Sequence, residues 1–153
     1  MVGRLSRFLR LPAGDQVLVL QAMLLQVGVR LGLWVLPFAT LRGLLSRLAA
    51  GGRPEVEAGP EGLRTARRAV WAVEAVGRQW PAVGTCLIQA LAAHVLLGRR
   101  GCASNLRIGV KRDERGTFVA HAWLEQGDTI LIGGAPHRGY VGMPALSGLD
   151  RHS

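Results

Sequence analysis

A change of hydrophobic period near residue 105 is the feature that most limits the fold of this chain. Apolar residues in the segment 17–31 recur at mostly three- and four-residue spacings, which is typical of a helix. From there on the period is two: residues 105–111 and 118–125 have the pattern of half-buried strands, and a third strand is predicted at 129–132. Helices followed by a meander of antiparallel strands predict an α+β fold.

The first fifty residues are apolar and predict two helices. Asp15 is a candidate N-cap for the first helix, and Pro37 ends it because proline cannot continue the helical hydrogen-bond ladder. Residues 41–48 form a second, shorter amphipathic stretch. Residues 17–41 are long enough to cross a bilayer, but Arg30 and Pro37 interrupt them. We therefore expect a helical hairpin or a partner-docking surface in preference to a membrane segment.

Glycine and proline then divide the chain. Residues 51–62 contain three glutamates among glycines and prolines, which predicts a linker. It would separate an apolar helical region at 1–50 from a domain at 63–153. That domain opens with a helix over 63–80, and a second helix follows from near Thr85 to Gly98.

Composition excludes several classes of protein. The chain has 153 residues, 49% of them hydrophobic, and a net charge of +9, which suits one compact domain and not a disordered polyelectrolyte. The basic surplus is compatible with nucleic acid, an anionic membrane surface or an acidic peptide as partner. Cys86, His94, Cys102 and His121 match no common zinc spacing, so we expect neither a metal nor another cofactor.

Cys86 is the most suggestive residue for chemistry. It stands at the predicted first turn of a helix, just after Thr85, where unpaired amide hydrogens and the positive end of the helix dipole favour a thiolate. The same amides can donate to an oxyanion at a carbonyl under attack. A cysteine that opens an apolar helix is more often a small core residue, so this position alone does not decide its function.

His121 is the candidate base. It lies on the second predicted strand and shares a strand face with Trp123. Imidazole can both deprotonate a thiol and protonate a leaving amine. An exposed tryptophan beside an exposed histidine is unusual unless another group packs there.

Four segments together resemble one family. The runs Thr85-Cys86-Leu87-Ile88-Gln89-Ala90-Leu91-Ala92-Ala93, Leu96-Leu97, Leu106-Arg107-Ile108-Gly109-Val110 and Ala120-His121-Ala122-Trp123-Leu124-Glu125 resemble the transglutaminase-like cysteine peptidases of lasso-peptide biosynthesis. The resemblance covers roughly residues 63–134, and the apolar first half also has the look of this family. It implies a transglutaminase-like or papain-like core, with helices packed on a small antiparallel sheet, and an apolar helical N-terminal extension.

The resemblance also implies a reaction and its partners. Cys86 would attack the bond between leader and core of a ribosomally made precursor peptide, and His121 would move the protons. A separate leader-recognition protein would hold the leader, and an ATP-dependent cyclase would then close the macrolactam ring. Because a reduced thiol is needed and no export signal is convincing, we expect a cytoplasmic protein.

The third member of the catalytic triad is not settled by the sequence. The family usually supplies an acid on the strand after the histidine strand, and no acid stands opposite His121 here. Asp128 is the nearest acid in sequence, and we carry it as the candidate; a dyad, a carbonyl, a water or Asp150 are the alternatives. Trp80, Gln89 and Trp123 are candidates for lining the oxyanion or the substrate.

Other functions stay open from the residues alone. The chain could hold the precursor without cutting it, or the same Cys86 and His121 could transfer an acyl group to an amine. A basic nucleic-acid-binding protein is a further alternative, although no stripe of basic and aromatic residues supports it.

Overall fold

Prolines set the limits of several helices. The computed structural model describes residues 2–52, 59–82, 84–134 and 140–142. The second helix stops at Val35, two residues before Pro37, and the fourth begins with Pro60 at a position where no amide hydrogen is needed. The helices are α1 (Val2–Leu9), α2 (Ala13–Val35), α3 (Phe38–Ala50), α4 (Pro60–Gln79) and α5 (Cys86–Gly98).

One antiparallel sheet follows the helices. Its strands are β1 (Asn105–Arg112), β2 (Phe118–Gln126), β3 (Thr129–Ile132) and β4 (Val141–Gly142), in the order β3-β2-β1-β4. Strands β1 and β2 pair along their whole lengths, so that Gly109 lies opposite His121. The turn from β2 to β3 has two residues, and Gly127 in it has a φ of 56°, a conformation that glycine adopts without strain.

An irregularity in the pairing of β2 and β3 shapes the site. Glu125 pairs with Ile130, whereas Leu124 pairs with Ile132, so Leu131 is an extra residue in β3. Such a bulge bends a strand and changes where the following residues are aimed. Gly133 therefore leaves the sheet beside Trp123, in a conformation with a φ of 81°.

Helix α5 is the centre of the hydrophobic core. Leu91, Leu96 and Leu97 are almost completely buried, and α5 contacts α2, α3, α4 and β2. Its Ala90, Ala92 and Ala93 share a cluster of buried residues with Ala122 and Leu124 of β2. At its end, Gly98 approaches the backbone of α3 so closely that a Cβ there would lie 2.6 Å from the Cβ of Ala49. The helix that carries Cys86 is thus fixed on the strand that carries His121.

The predicted α+β fold and the strands β1, β2 and β3 are confirmed, and several details are corrected. Asp15 is not an N-cap, because α2 begins at Ala13 after Pro12 and no side chain caps it. Helix α1 and strand β4 are not among the predicted elements. Helix α4 begins at Pro60, which lies inside the predicted linker. Residues 53–58 of that linker lie outside the described residues, and the division at 1–50, 51–62 and 63–153 stays a prediction.

Candidate functional site

Cys86 is the first residue of α5 and its side chain is exposed. Thr85 is the N-cap residue by position, with extended backbone angles, and its hydroxyl makes no capping hydrogen bond. The amide hydrogens of the first turn therefore donate no hydrogen bond to the Thr85 side chain. They point out of the N-terminal end of α5, beside the thiol. A thiol in this place can react with a group that approaches from solvent.

The turn before Cys86 is held by close packing and by hydrogen bonds. Gly84 N–H donates to the Trp80 carbonyl at 3.0 Å, and the Gln89 side-chain amide donates to the Gly84 carbonyl. A Cβ on Gly84 would lie 2.6 Å from the Cα of Gly77. Gln89, which the sequence suggested as a substrate contact, therefore uses its amide group to fix the approach to Cys86. Trp80 is half-exposed at the end of α4.

The His121 ring is oriented by a backbone carbonyl. Its Nε2 lies 2.8 Å from the Gly133 carbonyl oxygen. Because a carbonyl oxygen only accepts hydrogen bonds, Nε2 carries the proton, and in the neutral ring Nδ1 then carries the lone pair. Nδ1 is thus the atom of His121 that can accept a proton from a thiol. Of the alternatives that the sequence left open, the carbonyl is the group found on the ring.

The predicted third residue has a different place. Asp128 is exposed in the turn between β2 and β3, and the Nε2 position of His121 is taken by Gly133. Asp150 lies outside the described residues. Among the hydrogen bonds of residues 2–52, 59–82, 84–134 and 140–142, none joins the Cys86 sulfur to the His121 ring. Their pairing, and the role of Asp128, remain predictions.

The ring of Tyr140 packs against His121 and Trp123. The ring centroid of Tyr140 lies 5.7 Å from that of His121 and 6.5 Å from that of Trp123, and the two latter rings stack at 6.1 Å. Trp123 is only 7% exposed, so the packing partner expected beside it is present. Gly109 makes room, since a Cβ there would lie 3.0 Å from the Trp123 ring.

Glu125 is bound to two neighbours on this side of β2. Its Oε1 accepts from Trp123 Nε1 at 2.6 Å, and its Oε2 accepts from Arg107 Nε at 3.2 Å. These bonds fix the indole ring that stacks on His121. Tyr140 and Gly133 are the site residues that sequence reasoning missed; no local pattern marks either of them, because both reach the site through long-range pairing.

The remaining histidine and cysteine of the described chain are structural. His94 Nδ1 lies 2.9 Å from Ser104 Oγ, and burial lowers the pKa of His94 below its usual 6.5. Cys102 is buried, and burial raises the pKa of its thiol although nearby Arg100 opposes the shift. Within the part of the chain that the structure describes, no three His, Cys, Asp or Glu residues are grouped as a metal site would need.

Comparison with known families decides the classification. The family model described as Transglutaminase-like superfamily matches residues 23–143. This chain belongs to the transglutaminase-like superfamily. The matched region contains α3 to α5 and the whole sheet, with Cys86 and His121 inside it. No curated protein and no solved structure matches the chain.

The transglutaminase-like assignment fits the arrangement around α5. Superfamily members are in general hydrolases or transferases that use a cysteine and a histidine. The predicted transglutaminase-like core, with helices on a small antiparallel sheet and an apolar helix before it, is therefore confirmed.

Proposed function

We propose that this protein is a cysteine peptidase that removes the leader from a ribosomally made lasso-peptide precursor. The observation that carries the proposal is the exposed thiol at the start of α5 in a transglutaminase-like chain. The four-segment resemblance to lasso-peptide leader peptidases supplies the substrate class. The oriented imidazole of His121 supports a hydrolytic site over a purely structural strand face.

The first half of the reaction needs two proton transfers and forms one covalent intermediate. His121 Nδ1 accepts the proton of the Cys86 thiol, and the sulfur bonds to the carbonyl carbon that joins leader and core. The amide hydrogens at the start of α5 donate to the oxyanion that forms. When the C–N bond breaks, the imidazolium gives its proton to the departing amine, which becomes the N-terminus of the core.

Water completes the cycle. It adds to the thioester carbon while His121 takes one of its protons, and the C–S bond then breaks to release the leader as a carboxylic acid. The thiolate regains a proton and the enzyme is restored. A neutral carbonyl holds the ring of His121 in its tautomer but, unlike a carboxylate, adds no full negative charge beside the imidazolium.

The proposal includes partners and a compartment. A separate leader-recognition protein would present the precursor, and an ATP-dependent cyclase would use the freed amine to close the macrolactam. We propose that the reaction takes place in the cytoplasm, where thiols stay reduced. We propose no metal, no other cofactor and no nucleic acid in this function.

The two cysteines provide a matched test of the thiol mechanism. We expect Cys86→Ala to abolish cleavage of precursor in the presence of the recognition protein, as followed by mass spectrometry. Cys102→Ala, which changes the buried cysteine in the same way, should still cleave at any temperature at which it is folded. Iodoacetamide should label Cys86 and spare Cys102 in the native protein.

Other outcomes would reject the proposal in distinct ways. Cleavage by Cys86→Ala would rule out the thiol mechanism. Precursor that wild type binds but does not cut would indicate the scaffold alternative, and a product joined to an added amine would indicate acyl transfer. We expect His121→Gln to lower the cleavage rate by about 10²–10⁴-fold, and an unchanged rate would exclude His121 as the base.

A further inference from the structure

The first fifty residues expose far more apolar surface than the rest of the described chain. Ten of its fifteen exposed large hydrophobic side chains precede residue 51. Six of them recur along α2 at alternating spacings of three and four residues, so they lie along one side of the helix. We call this set the α2 stripe; it consists of Val17, Leu20, Leu24, Val27, Leu31 and Trp34. It runs for about 26 Å along the helix.

The other side of α2 is packed into the fold. Leu18, Ala22 and Val29 are buried, and buried Gln26 donates from Nε2 to the Val73 carbonyl of α4 at 2.8 Å. Helix Ala13–Val35 is long and apolar enough to cross a membrane, but a crossing would break these contacts and expose a hydrogen-bonded amide to hydrocarbon. The helix therefore presents its stripe while lying on the protein surface.

The charge of the first fifty residues favours one kind of partner for the stripe over another. The first fifty residues contain six arginines and one acid, Asp15, and that acid is paired with Arg68 of α4. Arg7, Arg10, Arg30 and Arg47 are exposed. A second copy of the chain would bring two such basic surfaces together, which opposes association.

We propose that this surface docks on an anionic phospholipid membrane. The stripe is the outer side of a single helix, hence a convex ridge, and a ridge can enter a headgroup layer without needing a complementary groove. Apolar residues sink to the boundary of the acyl chains, tryptophan favours the interface, and arginines bind lipid phosphates. Trp34, which is 86% exposed near the end of α2, is placed for that role. Docking in the plane of the membrane leaves the α4–α5 packing and Cys86 unchanged.

Vesicle co-sedimentation of the full chain tests the proposal. We expect wild type to bind vesicles of phosphatidylcholine mixed with phosphatidylglycerol, to bind phosphatidylcholine alone at least about tenfold more weakly, and to lose affinity as salt rises. The variant Leu24→Glu/Leu31→Glu should bind the anionic vesicles at least about tenfold more weakly than wild type.

A control on exposed residues of the sheet separates the effect of the site from the effect of charge. Phe118 of β2 is 65% exposed, close to the 62% of Leu24, and Phe118→Glu/Val141→Glu makes the same change in charge as the stripe variant. We expect this control to bind like wild type, with circular dichroism showing that both variants are folded.

Three results would overturn the proposal. One is equal binding by the stripe variant and the control. Another is no vesicle binding by wild type, together with a dimer in light scattering that the stripe variant breaks, which would assign the stripe to a second copy. The third is no vesicle binding, together with an interaction with purified leader-recognition protein that the stripe variant abolishes. Precursor cleavage, measured separately, reports on Cys86 and does not enter this test.

Discussion

Helices α2 and α5 are both strongly apolar, and the fold treats them in opposite ways. Eight of the thirteen residues of α5 are buried, whereas only four of the twenty-three residues of α2 are. Helix α5 lies between other helices and the sheet, so apolar residues on all its sides have protein neighbours. A helix that is hydrophobic all round is normally buried. That rule describes α5 and fails for α2.

The difference in packing between α2 and α5 corresponds to two different roles that we propose for these helices. Packing around α5 fixes the helix whose first residue is Cys86, and so it serves the position of a reactive group. Packing of α2 uses one side only, through Leu18, Ala22 and Val29, and leaves the opposite side apolar and exposed. A surface of this kind on a protein usually marks an interaction site. Helix α5 thus fixes the proposed catalytic cysteine, whereas α2 provides the proposed docking surface.

Truncation of one leucine in each helix should separate the two environments most clearly. Leu96→Ala in α5 removes a buried side chain and should lower the free energy of unfolding by about 2–5 kcal/mol. Leu24→Ala in α2 removes an exposed one and should change it by less than about 0.5 kcal/mol. Urea unfolding without lipid measures both. Similar losses in the two variants would show that α2 is covered in the free protein.

The next largest effect is expected at Gly133, beyond the sheet. A Cβ there would lie 2.7 Å from the Ala122 carbonyl oxygen, and the φ of 81° is strained for alanine. Gly133→Ala should cost about 1–3 kcal/mol of stability. Because it moves the carbonyl away from His121 and so misplaces the ring, it should also lower the kcat of cleavage by up to about 100-fold with KM nearly unchanged.

Gly134→Ala is the matched control for this prediction, since nothing lies within 4 Å of a Cβ at Gly134. Nitrogen chemical shifts of the His121 ring give a readout that does not depend on cleavage. We expect the tautomer protonated at Nε2 in wild type and in Gly134→Ala, and a mixture in Gly133→Ala. If the two variants had the same ring tautomer and the same kcat, the carbonyl would have no positioning role.

The sequence predicted those parts of the structure that have local causes. Alternation along 105–111 and 118–125 predicted the two long strands, and proline and glycine marked the helix ends. Strand β4 has two residues and exists only because it pairs with Val110 and Gly109. No local pattern can signal so short a pairing. Tyr140 precedes β4 and reaches His121 through the same long-range pairing, so no local pattern marks it either.

For the site, residue types were predictable and their partners were not. Cys86 at a helix start and His121 on a strand follow from spacing and from the family resemblance. The Gly133 carbonyl depends on the extra residue Leu131 in β3 and on a positive φ, and neither is encoded by period. A search for carboxylates alone passes over a backbone oxygen, which every residue carries.

A smaller effect on the free energy of unfolding is expected when the pH is lowered, through His94 of α5. Burial lowers the pKa of His94, so the unfolded chain binds a proton there more readily than the folded protein. Stability from this group is present above pH 6.5 and falls as the pH drops below it, by at most about 1.4 kcal/mol per pH unit. Urea unfolding at several pH values between 7.5 and 5.5 measures the slope.

His94→Asn is the comparison for that slope. It removes the titrating ring, so the fall in stability between those pH values should become shallower even though the variant is less stable overall. A slope equal to that of wild type would mean that another group causes the acid sensitivity. Leu24→Ala, which changes an exposed side chain of α2, should keep the wild-type slope because it leaves the surroundings of His94 unchanged.

The smallest effect is expected from the ion pair between Asp15 of α2 and Arg68 of α4. Arg68 is largely exposed, so solvent and salt screen the pair, and the coupling should be about 0.2–1 kcal/mol. A double-mutant cycle with Asp15→Asn and Arg68→Gln isolates this energy from the interaction of Asp15 with the dipole of α2. The coupling should shrink as salt rises. A coupling that is larger and independent of salt would mean that the ion pair, and not the apolar contact of Leu18 and Ala22, holds α2 against the core.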